Sequence, residues 1–252
     1  MADYAAKIDV QQYDAIGTRQ SVVHVADQIY AIACRGADSD GYVYTVTIDT
    51  DGTITALDSL EFADANTIGG TKIIHLAGDN YAILYNSYYK DARIATISIT
   101  SEGVIALIDD QPVDSIQFGS SSWPCFDFIK VSGTTYAMIY SGADSDGFLT
   151  TLSIADNGTV GAVIQTWEFD TEFSVLYPTI LHISGDIYVI SGPDALHTAV
   201  ALHTVNIAAD GTITTSFVDS LTLDNNSHLR IIPLAGTKYA AVYKKSSDTS
   251  CQ

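Results

Sequence analysis

Three histidines occupy one place in a spaced series. His24, His75 and His182 each lie six residues before a tyrosine (Tyr30, Tyr81, Tyr188), and Lys130 and Pro233 take that place before Tyr136 and Tyr239. Arranged about an axis, three imidazoles at one height would form the donor set of a zinc site with an open fourth position. Bond lengths of ~2 Å are a severe demand on residues from separate units, so a histidine satisfied beside its own turn is the expected role. His197, His203 and His228 form no ligand spacing.

Two segments are almost identical: Gly36-Ala37-Asp38-Ser39-Asp40-Gly41 and Gly142-Ala143-Asp144-Ser145-Asp146-Gly147. Asp38, Asp40, Asp144 and Asp146 could present carboxylates to calcium, which takes hard oxygen ligands. The segments are half the length of an EF-hand loop and lack its bidentate Glu, and Asp-Gly is ordinary turn vocabulary, so the turn reading is preferred. Calcium is the one cofactor the residues suggest. Aromatic side chains in the segments that differ most between units, Tyr88, Tyr89, Trp123, Phe173 and Tyr177, are candidate ligand-binding residues. Aromatic area beside Asp, Asn and Ser suits a sugar or a protein surface.

Catalytic carboxylates are harder to find. Only four of the 30 acidic residues are Glu, and Glu61 and Glu168 hold equivalent places. Most Asp recur at turns, a distribution unlike one unsymmetrical active site. Asp127 breaks the repeat and is the best acid candidate. No Gly-x-Ser-x-Gly elbow, phosphate loop or His-Glu-x-x-His helix occurs. Cys34, Cys125 and Cys251 are too few and too irregular for a disulfide framework or zinc site.

The elements that must position these residues repeat along the chain. Tyr30, Tyr81, Tyr136, Tyr188 and Tyr239 are separated by 51, 55, 52 and 51 residues. A Thr-x-x-Ile signature follows at Thr45–Ile48, Thr96–Ile99, Thr151–Ile154 and Thr204–Ile207, and four residues beyond each Ile stands Gly52, Gly103, Gly158 or Gly211. A closing segment reads Leu57–Phe62, Val113–Phe118, Ile164–Phe169 and Val218–Leu223. Each segment is short, β-branched or aromatic, and bounded by Gly, Asp, Asn or Ser, which predicts strands joined by hairpins. The unit therefore has four strands, a to d.

Four strands every fifty-odd residues resembles the β-propeller pattern. Ile8–Tyr13 matches strand d yet precedes the first strand a, and the fifth unit has strands a and b only. An N-terminal strand that completes the last blade would close a ring and remove exposed edges. The chain thus resembles five-bladed β-propeller repeat proteins: all-β, a single domain over residues 1–252, with units near 21–70, 71–123, 124–177, 178–227 and 228–252 plus 1–20. It lacks the WD40 signature and the Asp-Asn-Trp repeats of tachylectin-type lectins. The fifth strand c is unaccounted for, and truncation, a three-stranded blade or a strand donated by another copy would each explain it.

Composition narrows the partners. With 47% hydrophobic residues the chain can bury a core, and a net charge of −19 excludes the basic face that nucleic acid requires. No apolar run spans a bilayer and no signal peptide is visible at Met1. The expectation is a module without chemistry that presents its loops to a glycan or protein on a cell surface or virus-like particle, extracellular or particle-associated. Five-bladed propellers also include glycoside hydrolases, so a carbohydrate-active enzyme is the alternative.

Overall fold

The protein is described from a computed structural model, which covers residues 18–36, 39–64, 69–87, 91–118, 126–142, 146–171, 178–193, 199–223, 226–234 and 236–245. Among these residues every regular element is a strand. Sheet 1 holds β1 (Thr18–Ala26), β2 (Ile29–Arg35), β3 (Gly41–Ile48) and β4 (Ile54–Ala63). Sheet 2 holds β5 (Thr71–Ala77), β6 (Asn80–Asn86), β7 (Asp91–Ile99) and β8 (Ile105–Gln117). Sheet 3 holds β9 (Phe126–Ser132), β10 (Thr135–Ser141), β11 (Gly147–Ile154) and β12 (Val160–Asp170). Sheet 4 holds β13 (Ile180–Ser184), β14 (Ile187–Pro193), β15 (Val200–Asn206) and β16 (Asp219–Thr222); β17 (Asn226–Pro233) and β18 (Tyr239–Lys245) form a two-stranded fifth sheet. Each sheet is an antiparallel meander in chain order, a β-propeller-like all-β fold. The strand-d match at residues 8–13 lies outside the described residues.

The sheets stack face to face because their middle strands are apolar on both faces. All seven residues of β10 are buried. One core cluster joins Tyr81, Ile83 and Ile97 of sheet 2 to Ala31, Val43 and Phe62 of sheet 1. Another joins Leu84 and Ile94 of sheet 2 to Phe128, Tyr136 and Leu152 of sheet 3, and a third joins Ile139 and Leu149 of sheet 3 to Tyr188, Ile190 and Val205 of sheet 4. Burial of this kind stabilises by roughly 25 cal/mol per Å² of apolar surface.

Polar clasps fix how far sheet 1 slides on sheet 2 and sheet 3 on sheet 4. The Thr45 hydroxyl donates to the Gly103 carbonyl at 2.6 Å, and Thr151 donates to the Gly211 carbonyl at the same distance. Beside each clasp, an outer-strand side chain meets the same hairpin. Asp58 Oδ2 accepts from the Ile105 amide at 2.9 Å, and Gln165 both accepts from the Ile213 amide and donates to its carbonyl. The hairpin glycines have φ of +84° at Gly103 and +90° at Gly211, and each lies flat against an apolar side chain of the preceding sheet, Leu57 or Ile164. A Cβ at either would stand 2.6 or 2.8 Å from that side chain. At these two joints the Thr and Gly of the repeat are thus two halves of one contact between neighbours.

Sheet 2 departs from the expected alignment. Thr96 pairs with Asp109, so the counterpart of Asp58 is Asp109 and not Asp114. Between the pairs Arg93–Pro112 and Asp91–Gln117 a single β7 residue faces four of β8, and this bulge absorbs the extra length of the second unit. Arg93, Asp110 and the Tyr85 hydroxyl form a hydrogen-bonded cluster beside it, with Arg93 Nη2 to Asp110 Oδ2 at 2.7 Å.

Gly211→Ala combines positive φ with close contact and is expected to cost about 2–4 kcal/mol, whereas Gly78→Ala, with open space at its φ of +55°, should cost about 1–2 kcal/mol. Urea denaturation of both variants measures the difference. Alkaline pH tests the core tyrosines. Burial, and then the charge of Asp156, pushes the Tyr136 phenol up from 10.0 to about 12. Tyr81 and Tyr188 are raised by burial and then by Asp79 and Asp186. Between the values for Tyr136, 10.0 and about 12, the unfolded chain releases a proton that the folded chain keeps. That stability is complete below the lower value and falls as pH rises through the window. Phenolate absorbance should therefore show one group of tyrosines titrating only as the protein unfolds.

Candidate functional site

Counting back nine residues from each repeat tyrosine gives Ser21, Lys72, Asp127, Thr179 and Arg230. Every side chain at this level is polar, and no two are alike. All five line one cavity of about 390 Å³, with Gln20, Thr71 and Phe126 at the same end and Ile129, Ile180, Leu181 and Ile231 as its apolar wall. The residues come from β1, β5, β9, β17 and the chain entering β13, so the first strand of every sheet contributes. The cavity lies where these strands begin, the end at which the d–a connections arrive.

Asp127 organises the chemistry. Its Oδ1 receives the Lys72 ammonium at 2.7 Å and its neighbour's amide, Phe128 N, at 2.9 Å. Its Oδ2 accepts from the Ile180 amide at 3.1 Å and the Thr179 hydroxyl at 3.3 Å. The carboxylate therefore touches sheets 2, 3 and 4, and the four donors fill its lone-pair positions. Its side chain is 14% exposed and that of Lys72 is 35% exposed, so the pair is sheltered yet open to the cavity. Ser21 makes a similar link at the preceding joint, where its hydroxyl oxygen accepts from the Ile73 amide at 3.1 Å. Arg230 brings a second cation to the lining, and its Nη1 donates to the Leu229 carbonyl at 3.2 Å. Two of only 11 basic residues in a chain of net charge −19 thus face one cavity. Such a site favours a ligand with a carboxylate, a phosphate or an oxyanion that forms during reaction.

The histidine series serves the hairpins. Nε2 of His24, His75 and His182 bonds the carbonyl of Asp27, Gly78 and Gly185 at 2.9, 2.8 and 2.9 Å. Each ring also packs on its repeat tyrosine at 5.2, 5.1 and 4.9 Å between centroids. In the third unit Lys130 donates to the Leu76 carbonyl and lies over the Tyr136 ring. These histidines are exposed, and the nitrogen a zinc ion would need already closes a turn.

The described ends of the two Asp-rich segments are joined by hairpin hydrogen bonds. The Gly36 amide donates to the Asp40 carbonyl and the Gly142 amide to the Asp146 carbonyl, closing the same hairpin twice. Asp40 carries a different grouping from the one expected. Its carboxylate lies with those of Glu61 and Asp64, their oxygens within 4.8 Å of one another, and Tyr42 donates to Glu61 at 3.0 Å. Asp38 and Asp144 lie outside the described residues, as do Tyr88, Tyr89, Trp123, Phe173 and Tyr177. Among the described residues singled out for chemistry, the structure brings only Asp127 to the cavity. Lys72, Thr179, Arg230 and Ser21 were missed, although one signal was available: at their position in the repeat all five units differ while all stay polar.

No family model matches the sequence, and no curated protein matches it. Solved structures do. The periplasmic gluconolactonase PpgL of Pseudomonas aeruginosa superposes with a TM-score of 0.59 at 13% identity, over 89% of this chain and 59% of that one. A Bacteroides fragilis protein assigned as a 6-phosphogluconolactonase gives 0.55 at 14% identity, over 89% of this chain and 66% of that one. This chain spans less than two thirds of the length of either. An endo-arabinase of Bacteroides thetaiotaomicron overlays more loosely, at a TM-score of 0.48 and 13% identity, over 93% of this chain and 92% of that one. At these identities the likeness is one of fold, and the neighbours' sheets are those of propellers.

The two lactonase neighbours are named as enzymes, which overturns the expectation of a module that acts without chemistry. That expectation counted scarce Glu and repeat-equivalent Asp; it singled out Asp127 as the best acid but not the cations beside it. No helix among the described residues is long and apolar enough to cross a membrane.

Asp127→Ala should cost about 2–3 kcal/mol, because it strands the Ile180 amide and a sheltered ammonium together. Lys72→Met, at a partly exposed site, should cost about 0–1 kcal/mol. Denaturant unfolding of both variants checks the asymmetry, and equal costs would mean that Asp127 does not hold the sheets.

Proposed function

We propose that the chain is a five-bladed β-propeller enzyme, carbohydrate-active, whose central cavity hydrolyses the ester bond of a small sugar lactone. The observation that carries this reading is the unlike polar set Ser21, Lys72, Asp127, Thr179 and Arg230 on five equivalent strand positions around one cavity. The named activities of the two lactonase neighbours agree with it. Canonical glycoside hydrolysis needs two carboxylates roughly 5–9.5 Å apart across the scissile bond. Among the described residues that line the cavity, Asp127 is the only carboxylate. Ester hydrolysis asks for less: a place for the developing oxyanion and one group to move a proton.

In this reading a lactone lies in the cavity with its carbonyl oxygen toward the Lys72 ammonium and the Arg230 guanidinium. Water adds to the carbonyl carbon, and the negative charge that forms on the oxygen is held by these cations. Asp127 takes the proton of the attacking water. The contact it gives up is the one from Thr179, which at 3.3 Å is the longest of the four. Collapse of the adduct breaks the ring C–O bond, and Asp127 returns the proton to the departing oxygen, leaving a hydroxy acid. The hydroxy acid then releases its carboxyl proton to water, and the same cations hold the resulting anion until it diffuses out.

The test is turnover of an aldonolactone, followed by proton release, beside an aryl glycoside as control. The wild-type protein should open the lactone. Lys72→Met should lower kcat by roughly 100-fold or more if the ammonium meets the oxyanion. Asp127→Asn, which keeps an acceptor oxygen, should fold and lose activity to a similar degree. A wild-type protein that releases aryl alcohol and leaves lactones intact would move the reading to glycoside hydrolysis; activity on neither substrate would end the enzyme reading at this cavity.

A further inference from the structure

The cavity changes character along the strands that form it. Alternate side chains of a strand turn to one side. Two residues beyond Ser21, Lys72, Asp127, Thr179 and Arg230 that side therefore carries Val23, Ile74, Ile129, Leu181 and Ile232. One level is polar in every sheet, and the next is aliphatic in every sheet. Ile129 and Leu181 line the cavity from the second level, and Ile180 and Ile231 complete its apolar wall. Ile129, Leu181 and Ile231 are half-buried, so the cavity leaves side chains of core type partly open.

The wall is tied to the charged end of the cavity. Asp127 Oδ2 accepts from the Ile180 amide at 3.1 Å, so this wall residue and the carboxylate stay together. Lys72 and Arg230 bring positive charge to that end, and Gln20, Ser21 and Thr71 add polar side chains. A hydroxyl group set against the wall meets no side-chain donor or acceptor, and a polar group buried unpaired is disfavoured. A methylene in the same place gains by leaving water. The lining therefore suits an amphiphile, with oxygen atoms at one end and hydrocarbon at the other.

We infer that the lactone this cavity prefers carries an aliphatic substituent. Its carbonyl meets Lys72 and Arg230, and its side chain runs along Ile129, Ile180, Leu181 and Ile231. A fully hydroxylated lactone still fits the polar end but gains nothing from the wall. The opened product, a hydroxyalkanoate, keeps both contacts, with its carboxylate on the cations and its hydrocarbon on the wall. This inference deepens the lactonase reading and rests on it for the reaction, whereas recognition by the wall is measurable without turnover.

Steady-state hydrolysis of δ-hexalactone, δ-octalactone and δ-decalactone tests it, because these share one reacting ring and differ only in alkyl length. The wild-type kcat/KM should rise about fourfold for each methylene buried, until the chain outgrows a cavity of about 390 Å³. Leu181→Thr should cut that rise to less than about twofold, and Leu181→Met should keep it. Cooperative urea unfolding establishes that both variants are folded. Calorimetry on the wild-type protein supplies a second arm with two carboxylates of equal carbon number, hexanoate and gluconate. Hexanoate should bind about tenfold more tightly or better. A flat lactone series, a rise that survives Leu181→Thr, or tighter binding of gluconate overturns the inference. Opening of gluconolactone in the same assay then leaves the lactonase reading in place. A preference for hexanoate with no lactone opened supports recognition by the wall and ends the lactonase reading.

Discussion

A sheet that is apolar on both faces cannot stand alone in water, and the rest of this architecture follows from that constraint. In sheets 2 to 4 the b strands bury side chains on either side, so each of these sheets requires a neighbour on both faces, and the core clusters join sheets 1 to 4 in series. Packing by itself would let the sheets slide, because apolar contact is non-directional. The threonine–glycine clasps supply the direction. Each is a buried hydrogen bond at fixed geometry, and the glycine is there because any side chain at that turn would strike the preceding sheet.

The same geometry makes the cavity. Five first strands converge at one end, and a residue at a given repeat position meets its counterparts there. In the hairpins and clasps the units agree, and the agreement is structural. At the level of Ser21, Lys72, Asp127, Thr179 and Arg230 they disagree, and the disagreement produces an uneven field. A symmetrical ring of one residue type would hold an ion on its axis. Unlike side chains instead distinguish one edge of a ligand from another.

Much of the fold was legible in the amino-acid sequence because the repeat multiplies weak signals. One Tyr after a turn means little, but five at near-constant spacing define a unit, and the glycines four residues after each Thr-x-x-Ile mark the hairpins where positive φ is found. The site was less legible. The search for chemistry followed recurring residues, His24, His75 and His182, and recurrence in a repeat protein reports on the repeat. Those rings brace hairpins and pack edge-on or tilted against tyrosines, structural work within their own sheets. Lys72 and Arg230 are single, scattered basic residues in the linear sequence and acquire meaning only when the units are laid over one another. The β8 bulge was hidden for a related reason: Val113-Asp114 imitates Leu57-Asp58 in composition, and only the pairing of Thr96 with Asp109 shows which aspartate occupies the joint.

Asp127 shows why structural and chemical roles are hard to separate in such a molecule. It is sequence-unique, as a functional residue would be, yet its carboxylate ties three sheets together and takes the ammonium of Lys72. A group so fully engaged is held to one rotamer, and positional certainty is what a proton-transferring or oxyanion-orienting residue needs. The engagement also restrains Lys72, whose long side chain would otherwise sample solvent. A mobile cation loses most of its advantage over water at the moment charge develops, whereas one already fixed by a neighbouring carboxylate has no reorganisation left to make. The joint that holds the sheets in place therefore also sets the electrostatics of the cavity, and a single residue serves both because the first strands of the sheets meet at this cavity.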